Sequence, residues 1–153
     1  MGQFYNDYRF DSQGSNMRQD VASRRRNYTR SMLCPSYKKW DIVMAEFGQD
    51  YDCCLIRGYR PAIVYSDSEY NERSPIMQVI PLTRKLKGVD RDYHVFLDKN
   101  DCIGYESSGI ALVEQIRPVD RKQVNRKVGE VDDFRAIVKI DNAVAEFFGI
   151  DTD

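Results

Sequence analysis

The chain has one histidine, His94, and no pair of cysteines at the two-residue spacing of zinc and dithiol redox motifs. Cys34, the adjacent Cys53 and Cys54, and Cys102 all lie far from that histidine in sequence. No metal site and no cofactor are therefore expected, and the cysteines read as free thiols of a reducing compartment. The first thirty residues lack the apolar core of a secretory signal, and no run approaches the roughly 20 apolar residues that cross a bilayer. The expectation is a cytoplasmic protein with no membrane partner. The opening MGQFYN places Asn6 where a myristoylation signal needs Ser or Thr, which argues against a lipid anchor.

Net charge is also nearly absent, at −1 over 153 residues, but it is unevenly spread. Residues 1–39 carry eight Lys and Arg against three Asp, a net of +5, and the remainder carries −6. An acidic body opposes sequence-blind binding of long duplex DNA, which needs many phosphate contacts, although it allows a short basic groove. The length fits one domain of roughly 100–150 residues with an appendage. That division falls into a polar, Arg-rich extension over 1–36 and a compact domain over 37–153. The extension is expected to be partly helical around Asn16 to Arg30. Its segment RRRNYTR, Arg24 to Arg30, interleaves cations with a tyrosine as RNA-contacting arms do, a solvated tail being the plainer reading.

From Trp40 onward the pattern is that of strands. DIVMAEF, Asp41 to Phe47, alternates, with Val43, Ala45 and Phe47 expected on the core face. GQDYDCCLIRG is a connector of about eleven residues, long for a tight turn. Ala62–Asp67 and Ile76–Leu82 read as a hairpin around the turn-rich SDSEYNERSP. Tyr93–Leu97 and Gly109–Val119 read as two more strands, with a single-turn helix over Asp120 to Val124. A terminal helix begins at Asp132 and Asp133, where its dipole favours anions, and Phe134, Ile137, Val138, Val144, Phe147 and Phe148 are expected to form its packing face. Five short strands and a final helix predict a small barrel.

In an antiparallel hairpin the start of one strand lies opposite the end of the other, so Arg60 and Thr83 should meet at the open end. Gly58 allows a bend just before Arg60, and Pro61 sits at the first strand position, where a proline does least harm. A guanidinium fork and a hydroxyl donor suit a phosphate whose negative charge grows during displacement. RNA carries its own nucleophile, the 2′-OH, beside the scissile phosphate, so cleavage there needs alignment and charge stabilisation rather than a metal. Arginine is a poor base, which makes His94 a candidate for that role, though a lone strand histidine is more often structural. Taken by spacing alone, an Arg beside a strand-end Thr is also more often structural than catalytic.

WDIVMAEF, RGYRPAIVYSD, NERSPIMQVIPLT, HVFL and ALVEQIRPVD, in that order, resemble the PemK/MazF toxins of toxin–antitoxin pairs over about Lys39 to Gly149. The resemblance implies a mostly β, SH3-like barrel with a C-terminal helix, a homodimer, and an mRNA interferase that cuts single-stranded RNA at a short sequence without metal. It implies that the catalytic arginine and threonine fall on Arg60 and Thr83, and that Arg57, Asn71, Ser74, Glu114 and Gln115 contact RNA. The implied partners are single-stranded mRNA and a cognate antitoxin whose tail covers the same groove. Three features depart from the pattern: Trp40 stands where the family has a glycine, Gly109 stands where it often has serine, and Gln49 to Ile56 carries a Cys pair in the loop that shapes base selection. The alternatives are a non-catalytic, CcdB-like barrel that binds a protein such as DNA gyrase, and a degenerate member acting only as a binding module.

Overall fold

The computed structural model describes residues 17–49, 53–85 and 92–152, with side chains from residue 21 onward. A helix α1 (Met17–Met32) precedes a run of eight strands, β1 (Asp41–Glu46), β2 (Tyr59–Val64), β3 (Ile76–Thr83), β4 (His94–Leu97), β5 (Cys102–Ile103), β6 (Gly109–Leu112), β7 (Arg117–Asp120) and β8 (Val124–Val131). A short helix α2 (Ser68–Arg73) lies between β2 and β3, and α3 (Phe134–Phe147) closes the chain. The sheet order is β4-β6-β3-β2-β1-β8-β5, with β7 also paired to β3, and all pairings are antiparallel. The sheet curls into a half-barrel, as the expectation of a small barrel with a C-terminal helix requires.

Curling gives the sheet two cores. Ile42, Ile63, Ile80, Leu82, Leu97 and Val113 form one with α3, while Val43, Ala45, Phe47, Ala62, Val64, Val79 and Val119 form the other. β1 therefore buries apolar residues on both faces: Val43, Ala45 and Phe47 face one core as expected, and Ile42 is fully buried in the other. In α3 the packing face is only partly the one expected: Val144 is buried and Ile137 packs against the core, as expected. Ala136, Ile140, Ala143 and Val144 are buried, at helical spacing, whereas Phe134, Val138, Phe147 and Phe148 are exposed. Small alanines let the helix axis approach the sheet, and the larger rings are left on the outer side. Asp133 caps α3 by accepting from the Ala136 N–H at 2.9 Å.

Other elements also differ from the sequence reading. The count is eight strands rather than five. The run Gly109–Val119 is broken: Leu82 faces Ala111 but Val79 faces Arg117, so six residues there span three of β3. The excess forms a 3-10 turn, Val113–Gln115, that bulges out beside the middle of β3. The connector SDSEYNERSP holds α2, whose N-cap Asp67 accepts from the Glu69 and Tyr70 N–H groups. The single-turn helix expected at Asp120 to Val124 is present as a 3-10 turn over Arg121–Gln123.

At the entrance to β1, Trp40 takes φ +76°, a left-handed conformation natural to the glycine it replaces. Its N–H donates to Val64 and its carbonyl accepts from Val131, while its ring meets Tyr65 edge-on at 5.6 Å. Hydrogen bonds and ring packing hold the strained backbone where a glycine would sit unaided.

The extension is a built element rather than a loose tail over its described part. Ser31, 1% exposed, donates to Asp120 Oδ2 at 2.9 Å, and the Tyr28 hydroxyl donates to the Arg73 carbonyl at 3.3 Å. Arg121, 3% exposed, donates to the carbonyls of Cys34, Met32 and Asn71, so it caps the C-terminal end of α1 and ties it to α2. The part of the extension before residue 17 lies outside the described residues.

Candidate functional site

The hairpin's register decides where the candidate arginine and threonine lie. Ala62 faces Pro81, Ile63 faces Ile80 and Val64 faces Val79. Continued two residues past Ala62, the same register sets Arg60 opposite Thr83, on the side of the sheet that carries Ala62 and Val64. Across β1, Arg60 faces Ala45. Gly58 sits before Arg60 at φ +75°; its carbonyl accepts from Phe47 and its N–H donates to Gly48, closing the end of the β1–β2 pair. Only a residue tolerant of positive φ makes that closure without strain.

Both side chains keep hydrogen-bonding capacity for a ligand. Arg60 is exposed, and its Nε donates to the Arg57 carbonyl at 3.2 Å, which fixes the guanidinium plane. Its two terminal nitrogens have no partner among the described residues. Thr83 Oγ1 accepts from the Lys85 N–H at 3.2 Å, so its own hydrogen remains available to donate. Behind Thr83, Gly109 approaches so closely that a Cβ there would lie 2.9 Å from the Thr83 carbonyl oxygen.

The bulge Val113–Gln115 flanks this end. Gln115 Oε1 accepts from the Ile56 N–H at 2.5 Å, which pins the end of the β1–β2 connector that carries Arg57. Glu114 Oε1 lies 2.6 Å from His94 Nε2, and Glu114 Oε2 is buried with no partner among the described residues. The His94 side chain is 9% exposed. Half-buried and within hydrogen-bond distance of Glu114, it has the partner that the structural reading of a lone strand histidine calls for. Arg117, which the sequence reading did not single out as a site residue, sits with its guanidinium 5.3 Å from the Phe47 ring and so adds a third arginine to this region. The break in the strand that positions it has no signal in the apolar pattern. Among the described residues, no three His, Cys, Asp or Glu side chains cluster as metal ligands would.

Asn71 and Ser74 are not brought to this end. They belong to the hairpin's connector, and β3 runs from Ile76 beside that connector to Thr83, a separation of roughly 23 Å at about 3.3 Å per residue. Asn71 is fully buried; it accepts from Ser66 Oγ and donates to the Tyr37 and Ser66 carbonyls. Ser74 Oγ accepts from the Ile76 N–H and donates to the Tyr70 hydroxyl. In place of the expected RNA contacts, both fold the connector. Of the Cys-pair loop, Gln49 to Ile56, residues 50–52 lie outside the described residues.

Relatives share this framework. Endoribonuclease EndoA of Bacillus subtilis is 30% identical over 87 residues, covering 57% of this chain and 73% of EndoA. Among solved structures, MazF from Deinococcus radiodurans superposes with a TM-score of 0.65 at 22% identity, over 76% of this chain and 99% of that one. An endoribonuclease in complex with its cognate antitoxin, from a mycobacterial species, superposes at 0.63 and 17% identity, over 77% of this chain and all of that one. Residues 38–148, most of the chain and all of the barrel, match the family model of the PemK-like, MazF-like toxins of type II toxin–antitoxin systems, and the chain belongs to that family.

Proposed function

We propose that this protein is the toxin of a toxin–antitoxin pair, acting in the cytoplasm as a metal-independent endoribonuclease on single-stranded mRNA. The observation that carries the reading is the register that sets Arg60 opposite Thr83 at the open end of the β2–β3 hairpin, each with unspent donors. The terminal nitrogens of Arg60 take two oxygens of the scissile phosphate, and the Thr83 hydroxyl donates to a third position. The 2′-oxygen of the preceding ribose attacks phosphorus as its proton passes to water, the 5′-oxygen leaves and takes a proton from water, and the product end is a 2′,3′-cyclic phosphate. Charge grows on the phosphate oxygens as the bond forms, so donors fixed in advance lower the barrier. Arg57, Glu114 and Gln115 border the same end and bind flanking nucleotides. The protein works as a homodimer, and an antitoxin tail silences it by covering the groove.

Incubating the protein with a long single-stranded RNA in EDTA and analysing the fragment ends tests this. Sequence-specific cuts with 2′,3′-cyclic phosphate ends are expected, and a 2′-deoxy ribose at the scissile position should block cutting. Cleavage that stops on chelation and leaves 5′-phosphates contradicts the mechanism. Intact RNA together with tight binding of gyrase would favour the CcdB-like alternative.

A further inference from the structure

The helix α1 lies outside the segment that matches the family, yet it is bolted to it. Its anchor residues, Asp120 and Arg121, adjoin the start of β3, where Asp120 faces Ile76. Thr83 is at the other end of that strand, roughly 23 Å away at about 3.3 Å per residue. Arg24, Arg25, Arg26 and Arg30 are all exposed along α1, within about 10 Å of Ser31 at 1.5 Å rise per residue. Arg25, Arg26 and Arg30 pair with no carboxylate among the described residues; Arg26 reaches only Ser23 Oγ, at 3.4 Å. Tyr28 is held by its hydroxyl against the Arg73 carbonyl and is 51% exposed as a residue.

We propose that α1 is an RNA exosite that grips the phosphate backbone of substrate nucleotides beyond the cleaved segment. The proposal rests on RNA being the substrate of the Arg60–Thr83 end. Three observations favour a polyanion over a protein helix as the occupant. The cations from Arg24 to Arg30 are all arginines, whose planar forks fit phosphate oxygens. A pinned, half-exposed tyrosine among them offers a face on which a base can stack. The exposed large apolar side chains on the described part of α1 are Val21 and Tyr28, too few for the apolar stripe that an amphipathic partner needs. The residues after 39 carry a net −6 and repel RNA at a distance, which a rigid basic arm offsets.

Because α1 stands well away from the cleavage end, its effect must depend on RNA length. The test uses single-stranded 2′-O-methyl RNA, which lacks the nucleophile and is not cut, in lengths of about 6 and about 40 nucleotides. The variant Arg25→Gln/Arg26→Gln/Arg30→Gln is compared with the parent and with the control Lys99→Gln/Arg135→Gln/Lys139→Gln, all exposed positions away from α1. The α1 variant is expected to bind the long RNA about tenfold more weakly at low salt, with the slope of log affinity against log salt reduced by about 2. Short-RNA binding, the control variant and the single-turnover rate at saturation should match the parent. Equal long-RNA binding at every salt concentration overturns the proposal, as does an equal loss on the short RNA. Unchanged RNA binding with lost binding of a polyglutamate peptide would assign the helix to an acidic protein partner and also overturn it. The cleavage assay in EDTA reports separately on the Arg60–Thr83 end, so a failure there is distinguishable from a failure of the exosite.

Discussion

Trp40 carries out two tasks at once, holding a left-handed backbone turn and packing its ring on Tyr65. Trp40→Ala loses the packing and keeps the strain, while Trp40→Gly loses the packing and relieves the strain. Chemical denaturation should therefore find the glycine variant more stable than the alanine variant by about 1 kcal/mol, because left-handed backbone costs a non-glycine residue about that much. Equal stabilities would mean that the turn carries no strain. Gly109 illustrates the reverse case. By the resemblance it stands where the family often has serine, and here the Thr83 carbonyl oxygen lies 2.9 Å from where a Cβ would stand. Gly109→Ala should push Thr83 out of line and lower cleavage by at least about tenfold, given the sensitivity of catalysis to displacements near 1 Å. Full activity in a folded Gly109→Ala protein would detach Thr83 from the chemistry.

At the scale of elements, the strap between α1 and the barrel hangs on Arg121, a buried cation held by main-chain carbonyls. Arg121→Ala strips those acceptors of their donor at a cost of about 1–3 kcal/mol for each buried group left unpaired. The variant should expose α1, so that trypsin cuts at Arg24 to Arg30 many times faster than in the parent while the barrel stays resistant. An unchanged digestion pattern would show that α1 does not depend on this cap. The same strap explains what the sequence concealed. Arg121 and Asn71 are polar letters in turn-rich stretches, and nothing in their local pattern announces that both are buried and joined across fifty residues. The hairpin was legible because its apolar runs and intervening turn residues each point the same way. β8 was not: VNRKVGEV is polar on one side, and its pairing with β1 shifts register twice, which breaks the alternation a strand normally displays. The stripe of α3 was legible at Ile137 and Val144 but not at Ala136, Ile140 and Ala143, because small alanines face the sheet while the phenylalanines at the helix ends are exposed. The end of the hairpin carrying Arg60 and Thr83 followed from antiparallel geometry alone, whereas Asn71 and Ser74 were assigned by resemblance and lie at the opposite end.

For the molecule as a whole, two half-buried weak acids set an alkaline limit. Burial, with the nearby Asp101 and Asp98 carboxylates, pushes the Cys102 thiol from its ordinary 9.0 up to about 11. Burial and its hydrogen bond to Asp141 raise the Tyr65 hydroxyl further. A raised folded value means that the fold prefers the protonated form. Stability from Cys102 is thus complete below about pH 9 and is lost as pH climbs through about 11. Cys102→Ala should flatten the stability profile across that window by on the order of 1 kcal/mol, a figure reduced for the solvent that reaches the site. An unchanged slope would mean that the thiolate is accommodated in the fold. The account as a whole stands on Arg60 and Thr83 lying at the same end of the β2–β3 hairpin, and the most direct test is the single-turnover rate of RNA cleavage in EDTA by Arg60→Ala and Thr83→Ala, each confirmed folded by circular dichroism. Each variant is expected to lose at least about 10²-fold, as when a transition-state charge partner is removed. Cleavage near the parent rate by a folded Arg60→Ala protein would contradict the account.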